Sequence, residues 1–398
     1  MAAASPESAA PVVILGAGYA GVMVAQEVAR RSKGKLPVIL VDRHPSHVLR
    51  TELYEVGRLA AEEEEASFSI PIEKVLARTS VSWRTDSVRE IDLAARVITL
   101  ESGHLPYRYL AIGLGNVAAY YGVPGAEAYT HQVYRLPKAI ELAKAIRELE
   151  RGSSQLPAQR RPRILVVGGG STGTELAAEI ATTDWAKLSD PNARPPEVVL
   201  LGGAIPFLAG FSTDLIAHAR ALLRRTGVLL FEGVNVAKVE PNKVYLEDGS
   251  LIVADLIIWC AGLQAPPVVK ALPVPHGRGG RIAVSETLEI PGYAGAYAVG
   301  DSIEYKDPDT GMFVPGTAQA AIAEARVAGR NIVHDWKGEP KESFHYHERG
   351  SVVAVGRRRG AGNLGPISIW GSPAALVKHL VQREYARATE RGTETRVL

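Results

Sequence analysis

Runs of apolar and polar positions alternate along the chain in a way that predicts an α/β protein. Val12 to Leu15 are four consecutive apolar residues and read as a buried strand. Val22 to Arg31 follow with apolar positions at 22, 25, 28 and 29, the spacing of a helix with one buried face. Val38 to Val41 form a second apolar strand, which ends at Asp42. Strand-like stretches at Val81–Trp83, Ser87–Ile91 and Arg96–Leu100, with Glu101 to His104 as the last turn, predict a small antiparallel meander. Tyr107 to Gly115 is an apolar strand closing on two glycines, and Arg135 to Arg151 carries helical spacing. A linker-like stretch, Gly152 to Pro162, precedes a second series: strand Arg163–Val167, helix Thr174–Thr182 and strand Val198–Leu201. Another meander (Val236–Val239, Lys243–Glu247) leads to a buried strand at Leu256–Gly262. A strand ending in Gly300-Asp301, a helix from Pro315 to about His334 and a helix from Pro373 to about Ala388 complete the pattern.

The turns between these elements carry the chemistry. Gly16, Gly18 and Gly21 have G-x-G-x-x-G spacing between an apolar strand and a helix. That context suits a dinucleotide: the first glycine permits the tight turn, the second lets backbone approach a pyrophosphate, and the third lets helix and strand pack closely. The helix N-terminus then faces the phosphates with unpaired N–H groups. Asp42, 21 residues beyond Gly21, can accept hydrogen bonds from both hydroxyls of an adenosine ribose. The spacing recurs at Gly168, Gly170 and Gly173, so one chain has places for two dinucleotides. In this repeat the next strand runs into Gly202-Gly203-Ala204, with no acid in Asp42's place and no adjacent arginine. An acid there would favour NADH, so the choice between NADH and NADPH stays open.

Composition narrows the function. At 398 residues the chain has room for two or three domains, and 46% hydrophobic and 22% charged residues are ordinary for a globular protein. The 45 basic and 43 acidic residues nearly cancel, giving no reason to expect nucleic-acid binding. A single cysteine, Cys260, excludes an intrachain disulfide, a redox CxxC pair and a thiolate zinc site, and reads as a small apolar filler. His345 and His347 have strand-like i,i+2 spacing with no nearby acid or cysteine, so no metal site is expected. Residues 1–10 read as a disordered tail rather than a signal peptide, and Glu62 to Glu65 as a solvated run. No stretch approaches 18 uninterrupted apolar residues.

With these residues in view, the chain resembles the two-dinucleotide, glutathione-reductase-like flavoproteins, and within them the type II, non-proton-pumping NADH:quinone oxidoreductases. The resemblance spans roughly residues 11–370 and rests on GAGYAG, TEL at 51–53, YRYLAIGLG at 107–115, GGGSTGTE at 168–175, IIWCAG at 257–262, YAVGD at 297–301 and TAQAA at 317–321. It implies an FAD-binding domain from residues 11–125 and 286–345, an NAD(P)H-binding domain inserted at 126–285, and a C-terminal segment at 346–398. The cofactor-binding residues it implies are Gly16, Gly18, Tyr19, Ala20, Gly21, Asp42, Arg43, Thr51, Gly113, Gly168, Gly170, Thr172, Gly173, Gly262, Gly300, Asp301, Ala318 and Gln319. The first turn would hold the FAD pyrophosphate, Asp42 its ribose and Asp301 the ribityl chain, with Thr51 near the flavin. The helix N-terminus at Gln319 would lie near the pyrimidine end of the isoalloxazine. The second turn would cradle NADH or NADPH. Glu175, near the nicotinamide, and Gln319 are the implied catalytic residues. The sequence departs from the type II pattern A-Q-x-A-x-Q at Ala323, and from its usual glutamate at Gly202.

A quinone acceptor lives in lipid. Val377, Leu380, Val381, Tyr385 and Ala388 fall on one helical face with Lys378, His379, Arg383 and Arg387 around the rest. This pattern fits a membrane-surface helix, a helix packed on its own protein, or a homodimer interface. Arg357 to Arg359 would add attraction to anionic lipid. The expected location is cytoplasmic, peripheral on the cytoplasmic membrane face if the helix binds lipid. Competing readings are a ferredoxin- or rubredoxin-type reductase and a flavin signalling protein like apoptosis-inducing factor. Disulfide reductases are excluded by the single cysteine.

Overall fold

A computed structural model describes residues 10–60, 68–157, 159–188 and 192–391; residues 1–9 and the run Glu62 to Glu65 lie outside the described residues. Two parallel sheets organise the chain. The first has five strands in the order 296–298, 109–112, 12–15, 38–42, 81–85, and the second four in the order 229–231, 197–201, 163–167, 256–259. The first-unit strand β1 (Val12–Leu15) and its neighbour Tyr109–Ile112 are buried along their whole length, as a parallel strand covered on both faces must be. Helix α1 (Tyr19–Ser32) follows β1, and helix α2 (Ser171–Thr182) follows the second unit's central strand, β2 (Arg163–Val167). Each begins three residues earlier than its apolar spacing suggests. Those first turns, Tyr19-Ala20-Gly21 and Ser171-Thr172-Gly173, are mostly glycine and small side chains, which carry little periodic apolar signal.

Val81–Trp83 is not part of the meander. Val81–Thr85 pairs in parallel with Val38–Asp42 at the edge of the first sheet. A short half-buried edge strand reads the same whichever sheet it joins, which is why pattern alone misplaced it. The meander is Val88–Asp92, Val97–Leu100 and Gly103–Pro106, so Gly103 and His104 open a strand instead of belonging to the turn.

After the second unit the chain returns to the first sheet at Ala296–Ala298, and helix α3 (Ala318–Lys337) packs along α1. Gly329 makes that approach possible, since a Cβ there would stand 2.9 Å from the Glu27 side chain. The C-terminal segment contains a three-stranded antiparallel sheet (350–354, 360–364, 367–371) that the pattern did not reveal, followed by helix α4 (Ser372–Glu390). The expected lipid-facing side of α4 is divided. Tyr385 and Ala388 are buried against the protein, while Leu376 and Leu380 point outward, 59% and 55% exposed. Three-residue and four-residue steps blur two neighbouring stripes on one helix, and only packing separates them. His345 and His347 lie outside any strand, and the fold brings an acid to the first of them: Asp309 Oδ2 stands 2.6 Å from His345 Nδ1.

Candidate functional site: two glycine turns joined by a helix

The two turns repeat one geometry. Gly16 N donates to Val41 O and Gly168 N to Leu201 O, each at 2.7 Å. Gly16 and Gly168 have φ of +98° and +124°, a region that side chains rarely adopt. A Cβ on Gly21 would collide with the Gly16 carbonyl, and one on Gly173 with the Gly168 carbonyl. Around Gly18 and Gly170, by contrast, no other described residue beyond the adjoining chain lies within 4 Å of a Cβ position. Both turns therefore present bare backbone to open space at the start of a helix, the arrangement that receives a phosphate. Tyr19 and Ala20 lie in the first turn of α1, and Thr172 in the first turn of α2.

The first turn opens into a cavity of about 490 Å³ lined by Gly16, Gly18, Asp42, Arg43, Arg50 and Gly113. That is within the size range of cofactor pockets, about 300–1,000 Å³. Asp42 Oδ2 accepts from Ala17 N at 2.7 Å and Oδ1 from His44 N at 2.8 Å, which fixes the carboxylate at the strand end. Each oxygen keeps a lone pair for a ribose hydroxyl. Asn116, also on the cavity wall, donates to Asp301 Oδ2 at 2.7 Å and accepts from Arg50 Nη2 at 2.6 Å. Gly300 N donates to Glu324 Oε2 at 2.6 Å, and burial pushes the Glu324 carboxyl up to about 8. The bare turn, with the Asp42 carboxylate on the same cavity and Asp301 joined to it through Asn116, fits FAD, whose pyrophosphate lies between a ribose and a ribityl chain that both carry hydroxyls.

Thr51 is exposed, and its hydroxyl pairs with Tyr19 Oη at 2.7 Å. Ala318 opens α3, Thr317 caps it by accepting from Ala320 N at 3.1 Å, and Tyr346 Oη donates to Gln319 Oε1 at 3.3 Å. Gly262 lies where a two-stranded ribbon (117–118 with 263–264) begins; its carbonyl accepts from Ala119 N at 2.9 Å and Tyr121 covers its face. Cys260 is buried, its thiol pushed up to about 12 by desolvation.

The sequence predicts helix α4 but not that its inward side joins the two units. Glu175, on α2, is buried and accepts from Lys378 Nζ of α4 and from Ala354 N at 3.0 Å. The same Lys378 ammonium stands 4.5 Å from the Tyr54 ring centroid, and Gln382 Nε2 donates to Thr51 O at 3.4 Å. One turn further along, Tyr385 Oη donates to His47 Nε2 at 3.0 Å, and His47 Nδ1 donates to Ala17 O at 2.8 Å, inside the first glycine turn. Burial holds this imidazole below its usual pKa and so in the neutral form that one donor and one acceptor require. A signal did exist: positions 374, 378, 382, 385 and 389 form one inward stripe, and a lysine on such a stripe demands a buried partner.

Carboxylates gather beside this helix. Glu52 and Glu179 are both pushed up to about 7, first by desolvation and then by the charge of Glu55, which binds Arg58 at 2.6 Å.

The comparisons agree with this architecture. The chain is 25% identical over 379 residues to the type II NADH:quinone oxidoreductase of Staphylococcus saprophyticus, covering 93% of each chain. It is 29% identical over 340 residues to an NADH dehydrogenase-like protein of Mycobacterium tuberculosis, covering 83% of this chain and 81% of that one. Its fold is similar to that of NDH2 from Plasmodium falciparum solved with NADH, with a TM-score of 0.82 over 96% of both chains at 15% identity. Residues 10–325 match the family model described as pyridine nucleotide-disulphide oxidoreductase, and the chain belongs to that family.

Proposed function

We propose that this chain is an FAD-dependent, type II NADH:quinone oxidoreductase, converting NADH, a proton and a quinone to NAD⁺ and a quinol. The observation that carries the reading is α4, which reaches both glycine-turn units at once, to Glu175 through Lys378 and to Thr51 through Gln382. A donor held on the second unit and an acceptor handled beside the first can thus meet the same few side chains. FAD would be held by Gly16, Gly18, Asp42, Arg43 and Asp301. When bound, it supplies the two-electron chemistry, accepting hydride from NADH and passing electrons to the quinone.

The chain's own residues position and balance charge. Gly168, Gly170 and Gly173 receive the pyrophosphate of NADH. Glu175 orients the carboxamide or holds the proton that accompanies transfer, and Lys378 keeps that carboxylate in place. The N-terminus of α3 puts the positive end of a helix dipole beside Gln319, where it favours negative charge. The quinone binds near Gln319 and the C-terminal segment. Among the described residues no helix is long and apolar enough to cross a membrane. Leu376 and Leu380, with Ile367 exposed on the preceding strand, form the apolar contact through which the chain meets the bilayer surface.

An acceptor panel tests the reading: menaquinone and ubiquinone analogues, oxygen and ferredoxin, each with NADH and NADPH. Turnover should be fastest with a quinone. Turnover with ferredoxin alone, or loss of flavin colour over many seconds with no acceptor reduced, overturns it.

A further inference from the structure

The hydrogen-bond register aligns the strand ends of the two units residue for residue. Gly16 N bonds Val41 O, and the next residue is Asp42; Gly168 N bonds Leu201 O, and the next is Gly202. The second unit has nevertheless kept an acid, displaced sideways by one strand. Leu201 pairs with Phe231, Gly202 N donates to Phe231 O at 2.7 Å, and Glu232 follows. The Glu232 Cγ stands 3.8 Å from where a Cβ on Gly202 would be, so its side chain starts beside that strand end.

Among the described residues, Glu232 carries an arginine partner that Asp42 lacks. Arg220, on the helix Thr213–Arg225, grips both carboxylate oxygens, Nε to Oε1 at 3.1 Å and Nη2 to Oε2 at 2.9 Å. Its guanidinium also stands 5.5 Å from the ring centroid of Phe207, whose Cα lies 3.7 Å from a Cβ position on Gly169, inside the second glycine turn. The pair is reachable, with 33% of the arginine and 35% of the glutamate side chain exposed. An ion pair this exposed is held only weakly, so a ligand can open it.

We propose that Arg220 and Glu232 read the 2′ position of the adenosine ribose, so that the second unit accepts both NADH and NADPH. Glu232 accepts a hydrogen bond from a free 2′-hydroxyl. Arg220 takes a 2′-phosphate, as a guanidinium fork suits phosphate oxygens, and cancels the repulsion that a lone carboxylate would exert. The inference rests on the reading of the second glycine turn as the nicotinamide-dinucleotide site.

Calorimetric titration of the flavin-loaded full-length protein with NAD⁺ and NADP⁺ tests it, because the oxidised forms bind without reacting. The native protein should bind both with affinities within about tenfold of each other. Arg220→Gln should weaken NADP⁺ by about tenfold or more and NAD⁺ by less than about threefold. Glu232→Gln should shift the balance the other way, weakening NAD⁺ and tightening NADP⁺. Ratios within about twofold of the native protein in both variants, with both ligands still bound, overturn the inference and leave the dinucleotide site standing. A native preference for NAD⁺ beyond about a hundredfold also overturns it. Binding of neither ligand removes the site itself, and the inference with it.

Discussion

Glu175 and Lys378, 203 residues apart in sequence, form an ion pair in which both side chains are nearly enclosed. Removing one member of such a pair leaves a charge without its partner in a poorly solvated place, which costs about 3–5 kcal/mol. Lys378→Met should therefore destabilise the protein by about 3 kcal/mol. Adding Glu175→Gln to it should recover more than half of that loss, because the double variant no longer buries an unpaired carboxylate. Denaturant unfolding of the four proteins in the cycle decides; additive losses would mean that the two side chains act independently.

Asp301 is tied to the first cavity through Asn116, at 2.7 Å, and faces the Arg50 guanidinium at 3.9 Å. If it binds the ribityl hydroxyls, Asp301→Ala removes an ionised acceptor and leaves Arg50 without its counter-charge. A loss of about 2 kcal/mol corresponds to a roughly 30-fold weaker hold on FAD. The purified variant should carry most of its flavin sites empty, read as the ratio of flavin to protein absorbance. Full flavin occupancy would contradict the placement.

What the sequence made legible were the features whose cause is local. Gly16 and Gly168 must be glycine because of their own φ, and Asp42 is visible because it ends an apolar run. Lys378 escaped because its partner lies on another helix, and a lysine on α4 looks like any solvated charge until the inward stripe is known. Glu232 escaped for a different reason. Its relation to Gly202 exists only through the order of strands in the second sheet, which no single segment encodes. Val81–Thr85 shows the same limit, since its pattern specified a strand and not which sheet would take it.

Gln319 stands second in α3, with its carbonyl oxygen accepting from Tyr346 at 3.3 Å. A role at the quinone separates the two half-reactions. Gln319→Leu should lower kcat/KM for a quinone analogue by about tenfold while changing flavin reduction by NADH less than about twofold. Stopped-flow reduction without acceptor, beside steady-state turnover with it, gives both numbers. Equal losses would place Gln319 outside the acceptor site.

Burial and the neighbouring Glu55 charge push the Glu179 carboxyl up to about 7, from an ordinary value of 4.5. The folded protein therefore holds this proton more tightly than the unfolded chain does. The stabilisation is fully present below pH 4.5 and is lost progressively as pH rises through about 7. The unfolded chain gives up the proton first, and the native state must then either keep it at a cost or bury a charge. Glu179→Gln keeps the shape and removes the titration, so it should change little near pH 4.5 and stabilise at pH 8 by about 2–3 kcal/mol. That is roughly 2–4 °C in Tm for a chain of this length. Glu52, raised to the same range by the same neighbour, continues to titrate and keeps part of the slope in the variant. Melting curves of both proteins from pH 4.5 to 8 measure the difference. Parallel curves would mean that Glu179 is ionised in the fold, with Arg58 and Arg357 outweighing its burial.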